Sequence, residues 1–483
     1  MRLTGDRLWF GRGRRQSNPW RILALLLMIG AGVLLTRLVE AGKVRPLVFA
    51  TPLPTRSAFS YTEQGRAYFS AGDIEAAIDA YESAVALEPA NSRLWAELAR
   101  IQTYSSELLT NTERRRARLA EARQSADRAI EVNGEDAFAQ AVRTLVYDWS
   151  ASAEDDARLS NEYLSIAVAS AIRASQLDPD SPLALAYFAE VLSDQQKWVQ
   201  ARDLIERSVS SIESEPNAQD DTRMDIYRVY GSVLESIGYY RLAIEAYEKA
   251  SRITPNLTFL YLSIGVNYRQ LRQMDTALDY FNRAVQINEQ LGIADPVPYL
   301  AIGKTYAQDG EFFIAALNLA QALLINPSEA DIYGRLGIVF YRARNYESAI
   351  PVLQCAVEGC SAEESQALLC ELGYIRCDPD AGPVEIAGRE VRGLILSSDS
   401  LEYYYTYGSA LAFQSGAPGY ETACETAEEV FQQLLAGYGS DPIVTGIVAE
   451  NRNICARAGT PPSPSSTETL SAPSGQPEAT PTP

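Results

Sequence analysis

The run SYTEQGRAYFSAGDIEAAIDAYESAVALEP, residues 60–89, sets small, aromatic and turn residues at the intervals of two antiparallel helices that cross closely. Tyr61 is followed four residues on by Gly65 and then by Tyr68; Gly72-Asp73 reads as a turn, and Ala77, Tyr81, Ala84 and Pro89 complete the pattern. The frame returns as Tyr227, Gly231, Leu234, Gly238, Ala243, Tyr247, Ala250 and Pro255. It returns again as Tyr261, Gly265, Tyr268, Ala277, Phe281 and Ala284, with Glu289 where proline would fall. A further copy runs through Tyr299, Gly303, Tyr306, Gly310, Ala315, Leu319, Ala322 and Pro327, and another through Tyr333, Gly337, Phe340, Ala349, Leu353 and Ala356. Equivalent glycines in these four copies are 34, 38 and 34 residues apart, so one turn is four residues longer.

Packing explains the pattern. Glycine and alanine sit where two helices approach most closely, and aromatic side chains fill the holes that the small residues leave. Each hairpin is apolar on both broad faces and cannot bury itself alone, so neighbours must stack. The run and its copies resemble the tetratricopeptide repeat, whose small, aromatic, turn and proline positions they match. That resemblance implies an all-α, right-handed superhelical solenoid, here of about eight or nine hairpins, whose first helices line a concave groove that binds protein or peptide partners.

Between the first copy and the regular block the period stretches, since Ala84, Ala129 and Ala174 are 45 apart, as are Pro89, Gly134 and Pro179. Two units with longer helices fit this spacing, the first containing the helix-favouring run NTERRRARLAEARQSADRAIEV. The polar stretch at 213–221 suggests a bend between two arms. Residues 384–396, VEIAGREVRGLIL, alternate around Ala387-Gly388 and read as a small β-hairpin-like insertion. A last hairpin begins at LEYYYTYGSALAF, with a second helix over roughly 420–436 and a closing helix from Asp441 to Ala456. In that first helix Tyr404 faces the core, which leaves at least one of Tyr403 and Tyr405 exposed.

The expected organisation is therefore a basic segment 1–21, a transmembrane signal-anchor helix 22–39, a linker 40–56, and a first arm 57–222 with two longer, irregular repeats. A second arm of four regular repeats, 223–361, follows. A cysteine-containing irregular cap occupies 362–458, and the Pro/Ser/Thr-rich residues 459–483 form a disordered tail that cannot bury a core.

The N-terminal expectation rests on Ile22 to Thr36, an uncharged apolar run that continues through Arg37, Leu38 and Val39 to 18 residues. A helix of that length spans about 27 Å, just enough to cross a bilayer's hydrocarbon if Arg21 and Arg37 snorkel. Six arginines precede the run, which by the positive-inside rule puts the N-terminus in the cytoplasm and the body outside a bacterial-type cytoplasmic membrane, as a single-pass protein of the cell envelope. No clean small-x-small site follows the run before Arg37, which favours retention over cleavage.

The charge is uneven. Of 42 basic and 62 acidic residues, nine and two fall in 1–45, so the remainder carries 33 against 60. An acidic body of this kind is a poor partner for nucleic acid. Histidine is absent, which removes the usual general base and zinc ligand. No cofactor, no metal site and no enzymatic activity are expected. The remote enzymatic alternative would place a site in 378–400, on Asp378, Asp380 and Glu385. All six cysteines lie between Cys355 and Cys455, which suggests disulfides in an oxidising compartment. Cys424 with Cys455 is the expected pair, because a closing helix packs on the one before it; Cys355, Cys360, Cys370 and Cys377 supply two more whose pairing stays open.

Once the core positions of the resembled repeat are set aside, the implied groove residues are Arg66, Phe69, Glu190, Arg228, Glu235 and Val266. Arg269, Lys304, Ile338, Tyr341 and Arg342 continue the groove, and Tyr405 is a further candidate. Arg228, Arg269, Lys304 and Arg342 would make a basic stripe suited to a carboxylate-bearing peptide or an acidic polysaccharide. The functional expectation is a membrane-anchored interaction scaffold. Its alternative is a structural or self-associating envelope stalk.

Overall fold

The computed structural model describes residues 18–40, 56–109, 112–214, 222–375 and 388–458. The expected disordered tail and the acidic trio Asp378, Asp380 and Glu385 lie outside them. The chain divides into one unit up to Ser57 and another from Ala58 onward. The first holds helix α1 (Pro19–Glu40), whose described side chains, from Pro19 to Leu34 and at Arg37, are all exposed. Among the described residues no helix is long and apolar enough to cross a membrane.

The second unit is a stack of helical hairpins. In chain order they are α2 (Ala58–Ala71) with α3 (Ile74–Leu87), α4 (Ser92–Ser106) with α5 (Thr112–Val132), α6 (Ala137–Ser152) with α7 (Ala157–Leu177), and α8 (Pro182–Asp194) with α9 (Trp198–Ser214). The regular block follows as α10 (Arg223–Ser236) with α11 (Tyr240–Ile253), α12 (Thr258–Gln270) with α13 (Met274–Leu291), α14 (Val297–Asp309) with α15 (Phe312–Ile325), and α16 (Ala330–Arg342) with α17 (Tyr346–Val357). Beyond it come the short strand β1 (Gly359–Cys360), α18 (Ala362–Glu371), β2 (Val391–Arg392), the hairpin α19 (Leu401–Gln414) with α20 (Ala423–Tyr438), and α21 (Pro442–Ala458).

Within a hairpin the glycine of the first helix receives the large side chain of the second. A Cβ on Gly65 would lie 2.5 Å from the Tyr81 ring, on Gly231 2.8 Å from Tyr247, and on Gly265 2.4 Å from Phe281. Gly303 and Gly337 meet Leu319 and Leu353 in the same way, at 2.8 Å and 2.4 Å. Each glycine precedes its partner by 16 residues, so one interval closes every regular hairpin. Gly408 and Phe431 repeat the lock, at 2.4 Å, across a longer turn. In the two stretched units the additional residues lengthen the second helices, since α5 and α7 have 21 residues against 14 in α3. Side chains of Asp73, Asn91, Asp136, Asp156 and Ser181 cap the helices that follow them, accepting otherwise unpaired N–H groups of the first turn.

The stack does not break at 213–223. Helix α10 packs directly on α8 and α9, and one buried cluster runs from Ala58 to Ile264. Its inner helices approach one another closely: α4 packs on α6, α6 on α8 and α8 on α10. Small polar residues allow this and are satisfied internally. Thr103 Oγ1 donates to the Ala99 carbonyl at 2.8 Å, Ser106 Oγ to that of Thr103 at 2.7 Å, and Ser125 Oγ to Gln102 at 2.8 Å. The curvature is tight enough for the first hairpin to meet the sixth. Asn256 Nδ2 donates to the Ala71 carbonyl at 2.9 Å, and Gly72, at φ +82°, leaves no room for a Cβ, which would fall 2.6 Å from the Asn256 carbonyl oxygen.

Near the C-terminal end β2 pairs antiparallel with β1, in the register Gly359 with Arg392 and Cys360 with Val391. This corrects the expected local hairpin: the described part of 384–396 returns to the end of α17, while residues 384–387 lie outside the described residues. Helix α19 packs on both α16 and α17 and so continues the stack past the intervening segment. Tyr403 and Tyr404 are consequently both buried and Tyr405 half-buried, so neither neighbour of Tyr404 is left open as expected. Tyr403 fits over Gly334, where a Cβ would come within 2.7 Å of its ring, and donates its hydroxyl to Asp331. Cys424 and Cys455 are joined with their Cα atoms 5.6 Å apart, tying α21 to α20. Cys355 and Cys360 are joined at the base of the ladder, and Cys370 is also disulfide-bonded.

Candidate functional site

The first-helix face that the repeat presents as a groove is closed over much of its length. Glu190 and Arg228 were groove candidates. They form a buried bidentate pair instead, with both Arg228 Nη1 and Nη2 2.6 Å from a Glu190 oxygen. Trp149 Nε1 donates to the same carboxylate at 3.1 Å, Arg228 Nε donates to the Tyr104 hydroxyl at 3.1 Å, and the guanidinium lies 5.2 Å from the Trp149 ring centre. Beside them Asp225, fully buried, accepts from Arg100 Nη1 at 2.9 Å, from the Tyr187 hydroxyl at 2.6 Å and from the Tyr104 hydroxyl. Arg100 also pairs with Glu97 at 3.0 Å. Burial alone would lower both arginines, but Glu97 and Asp225 around Arg100, and Glu190 against Arg228, hold them charged. Tyr104 stacks on Phe259 of α12, 5.5 Å between centres, and Phe69 of α2 is buried against Tyr104. Phe69, Glu190 and Arg228 are therefore structural. Inner helices with small side chains come close enough to exclude a ligand there, and their longer polar residues pair with each other.

What remains of the inner face is a cavity of about 460 Å³ bordered by Trp149, Phe259 and Val266 and by the carboxyl groups of Glu107, Asp194 and Glu235. Glu107 is neutralised by Arg115 at 2.7 Å. Glu235 is half-buried; it accepts from Asn267 Nδ2 at 2.8 Å and from the Tyr247 hydroxyl at 3.1 Å, and burial raises its pKa. Asp194 stands exposed at the rim, where burial by the surrounding wall and the charge of Glu190 push it up to about 6. Asp148 lies deeper, 1% exposed; neither of its carboxyl oxygens has a hydrogen-bond partner, and burial, Asp194 and Glu190 raise it well above the usual range. Among the described residues no cluster of His, Cys, Asp or Glu has the arrangement of a metal site.

A second pocket, about 270 Å³, opens between α14, α16 and α19 and is lined by Lys304, Ile338, Arg335, Arg342 and Glu402 among others. Lys304 is exposed, yet its pKa is lowered by burial of its shaft and by Arg269 and Arg335 nearby. Arg335 pairs with Asp331 at 2.6 Å and Arg342 with Glu402 at 3.0 Å. The basic stripe thus differs from expectation by two members. Arg228 belongs to the buried network, and Arg335, not singled out in the sequence, joins Lys304 and Arg342. Arg269 is 8% exposed, donates to the Ala301 carbonyl at 3.3 Å and to Thr305 Oγ1 at 3.4 Å, and lies over Phe281, so it adds charge beneath the pocket and little contact surface. Of the remaining candidates, Arg66 is exposed and pairs with Glu63 on its own helix, and Tyr341 is half-buried against Tyr346 and Phe413.

Asp148, Trp149, Asp194, Arg100 and Asp225 were missed. The available signal was the spacing of charged and aromatic residues on helices otherwise made of small ones, as in Arg100 with Tyr104, Tyr187 with Glu190, and Asp225 with Arg228.

Family models described as tetratricopeptide repeat match residues 60–101, 225–257, 260–291 and 300–364, so the chain carries tetratricopeptide repeats. BBSome complex member BBS4 of Bos taurus is 24% identical over 113 residues, which are 23% of this chain and 21% of that protein; the match spans about a fifth of the relative. Among solved structures, the Cut9–Hcn1 hetero-tetramer of the APC/C is 16% identical, with 64% of this chain and 52% of that one covered at a TM-score of 0.46. The C-terminal part of a TPR repeat-containing protein from Cytophaga hutchinsonii is 15% identical, with 59% and 95% covered at a TM-score of 0.39. Repeats of this kind form scaffolds for protein or peptide partners and are typically non-enzymatic.

Proposed function

We propose that this chain is a membrane-tethered interaction scaffold of the cell envelope whose protein partner docks a carboxylate-bearing segment on the basic pocket of the second arm. The observation that carries the reading is one open pocket lined by Lys304, Arg335 and Arg342, in which Asp331 and Glu402 offset Arg335 and Arg342 while Lys304 forms no ion pair among the described residues and lies near Arg269 and Arg335. Like charges held together in a partly dry pocket are relieved by an anion, and Arg and Lys heads beside an open surface suit a carboxylate. Closure of the first arm's inner face supports the same choice, since it leaves the basic pocket as the accessible part of the expected stripe.

Tethering is supported by the six arginines before the apolar run and by the exposure of apolar side chains such as Leu23, Leu26, Leu27, Ile29 and Leu34 around α1. A helix apolar on all sides needs an apolar surrounding. The partner is sought by capture from detergent-solubilised membranes with the full chain and with K304E/R342E. Both residues are exposed, and an unchanged circular dichroism melt of the variant, which gives up the Arg342–Glu402 pair, is the control for its fold. Loss of one stoichiometric partner in the variant supports the reading; undiminished capture, or recovery of this chain alone, overturns it. Topology is read by a membrane-impermeant thiol reagent on intact cells after reduction, where labelling only after lysis rejects an outside body.

A further inference from the structure

We propose that the basic pocket between α14, α16 and α19 is filled, in the chain without a partner, by the chain's own segment 465–472, with the Glu468 carboxylate against Lys304 beside Arg342 and Leu470 on the apolar part of the wall. That this contact also holds off a partner rests on the function proposed above; the contact itself does not.

The pocket defines what fits it. Its volume is about 270 Å³, room for roughly nine waters at ~30 Å³ each, which admits one or two side chains and excludes a helix. Asp331 and Glu402 offset Arg335 and Arg342, which leaves Lys304 over, and the buried Arg269 adds positive charge close by. One further carboxylate meets that excess. Between the charges the wall is apolar, with Ala307, Ile338 and Val339, of which Ile338 is half-buried and open to contact. A matching occupant is an extended segment with one carboxylate and one aliphatic side chain on the same side.

Residues 459–483 contain that combination once. They hold Glu468 and Glu478 and no Lys or Arg, so the segment is complementary in charge to the pocket and repelled by the acidic remainder of the body. Leu470 is the only Leu, Ile, Val, Met or aromatic residue among them, and it stands two residues from Glu468. In an extended chain residues two apart point the same way at a separation of about 6–7 Å, so this carboxylate and this isobutyl group can enter one pocket together.

The root of the segment is fixed near the pocket. Helix α21 packs on α19 and α20, with Asn451 Nδ2 donating to Ser409 Oγ at 2.9 Å. The bond from Cys455 to Cys424 sets the end of α21 beside the start of α20, and hence beside the turn that follows α19. Helices α16 and α19 run parallel, since Gly334 lies under Tyr403 and Tyr341 stands 6.4 Å from Phe413 further along both. The ends of α16, α19 and α21 therefore share one edge. Neighbouring helix axes are about 8–10 Å apart, so α21 is roughly 20 Å from α16 across α19. Glu468 is ten residues beyond Ala458, a reach of up to about 33–36 Å. A segment tethered at this range competes at an effective concentration on the order of millimolar, so a weak contact is enough to keep the pocket occupied much of the time. A partner then binds with its affinity reduced by the fraction of chains whose pocket is open.

Two measurements test the contact on the purified full chain in detergent. The first is zero-length carbodiimide coupling with peptide mapping; lysines stand only at 43, 197, 249 and 304, so the products are few. An amide between Lys304 and Glu468 is expected within single molecules, lost in E468Q and in K304R, which keeps the charge but removes the amine, and reduced severalfold in 0.5 M NaCl. The second is fluorescence anisotropy with a labelled, amidated peptide of residues 465–472, Ser-Ser-Thr-Glu-Thr-Leu-Ser-Ala. It should bind E468Q/L470A, which alters no residue of the helical stack, at least twofold more tightly than the unaltered chain, and K304E/R342E at least tenfold more weakly than E468Q/L470A. Absence of the Lys304–Glu468 product, whether Lys304 couples instead to Asp378, to Glu478, to a second molecule or to nothing, overturns the proposal. Equal peptide affinity for E468Q/L470A and the unaltered chain does so as well. Capture from solubilised membranes separates this contact from the partner reading. At least twofold more partner is expected on E468Q/L470A; the crosslink with no partner on either chain removes the partner alone, and a partner lost in K304E/R342E without any crosslink removes the contact alone.

Discussion

Asp225→Asn is the sharpest test of the closed inner face. The side chain is fully buried and joins α4, α8 and α10 through Arg100, Tyr104 and Tyr187. Asparagine keeps the shape and one oxygen for the two phenols, but it removes the charge and turns an N–H₂ toward Arg100 Nη1. Removing one partner of a buried ion pair costs about 3–5 kcal/mol. Glu97 still compensates Arg100, which puts the expected loss at the lower end, roughly 3 kcal/mol. Asp225→Leu also leaves the O–H donors of Tyr104 and Tyr187 without their acceptor, at about 1–3 kcal/mol each, and is expected to lose roughly 5 kcal/mol or more. A solenoid need not unfold in one step, so the assay is hydrogen exchange resolved by segment. With a factor of ten for each 1.4 kcal/mol, amides of α4, α8 and α10 should exchange about a hundredfold faster in D225N, while those of α16 and α17 stay unchanged. Exchange in α8 and α10 within about fivefold of the unaltered chain would show that the network does not hold the inner face shut.

Three further outcomes are expected. Gly265→Ala puts a methyl 2.4 Å from the Phe281 ring and should cost about 1–3 kcal/mol in a urea titration, largely recovered in G265A/F281L; an unchanged midpoint for G265A refutes the glycine lock. Opening the Cys424–Cys455 bond in C424S/C455S releases a loop of 31 residues, so α20 and α21 should lose roughly 3–4 kcal/mol, seen as selective cleavage there by a protease; a digestion pattern identical to the parent counts against it. Asp194 and Asp295 are raised to about 6, Glu329 to about 7, and Asp148 well upward, chiefly by burial. The folded chain therefore holds more protons than the unfolded one between about pH 4 and 7, and stability present below that window is lost as the pH rises through it. Melting by circular dichroism should accordingly be higher at pH 5.5 than at pH 7.5, with a flatter profile in D148N/D295N; a midpoint that rises with pH refutes this assignment.

What the sequence determined by itself was the hairpin. The 16-residue interval from Gly65 to Tyr81, repeated from Gly231 to Gly337, is a local steric relation, and a helix pair linked by a short turn admits one solution to it. The longer α5 and α7 and the bond from Cys424 to Cys455 were legible for the same reason: the partners are neighbours along the chain. Tertiary structure decided how tightly the hairpins coil. That depends on how closely α4, α6, α8 and α10 approach, a sum over small residues such as Ala99, Thr103, Ser106 and Thr144 that no periodicity displays. Because of it, Phe69, Glu190 and Arg228 passed from groove to core, and Asp225 meets Arg100 across 125 residues. The sequence specifies which face of each helix turns inward; whether that face meets solvent or another helix is set by curvature accumulated over several repeats.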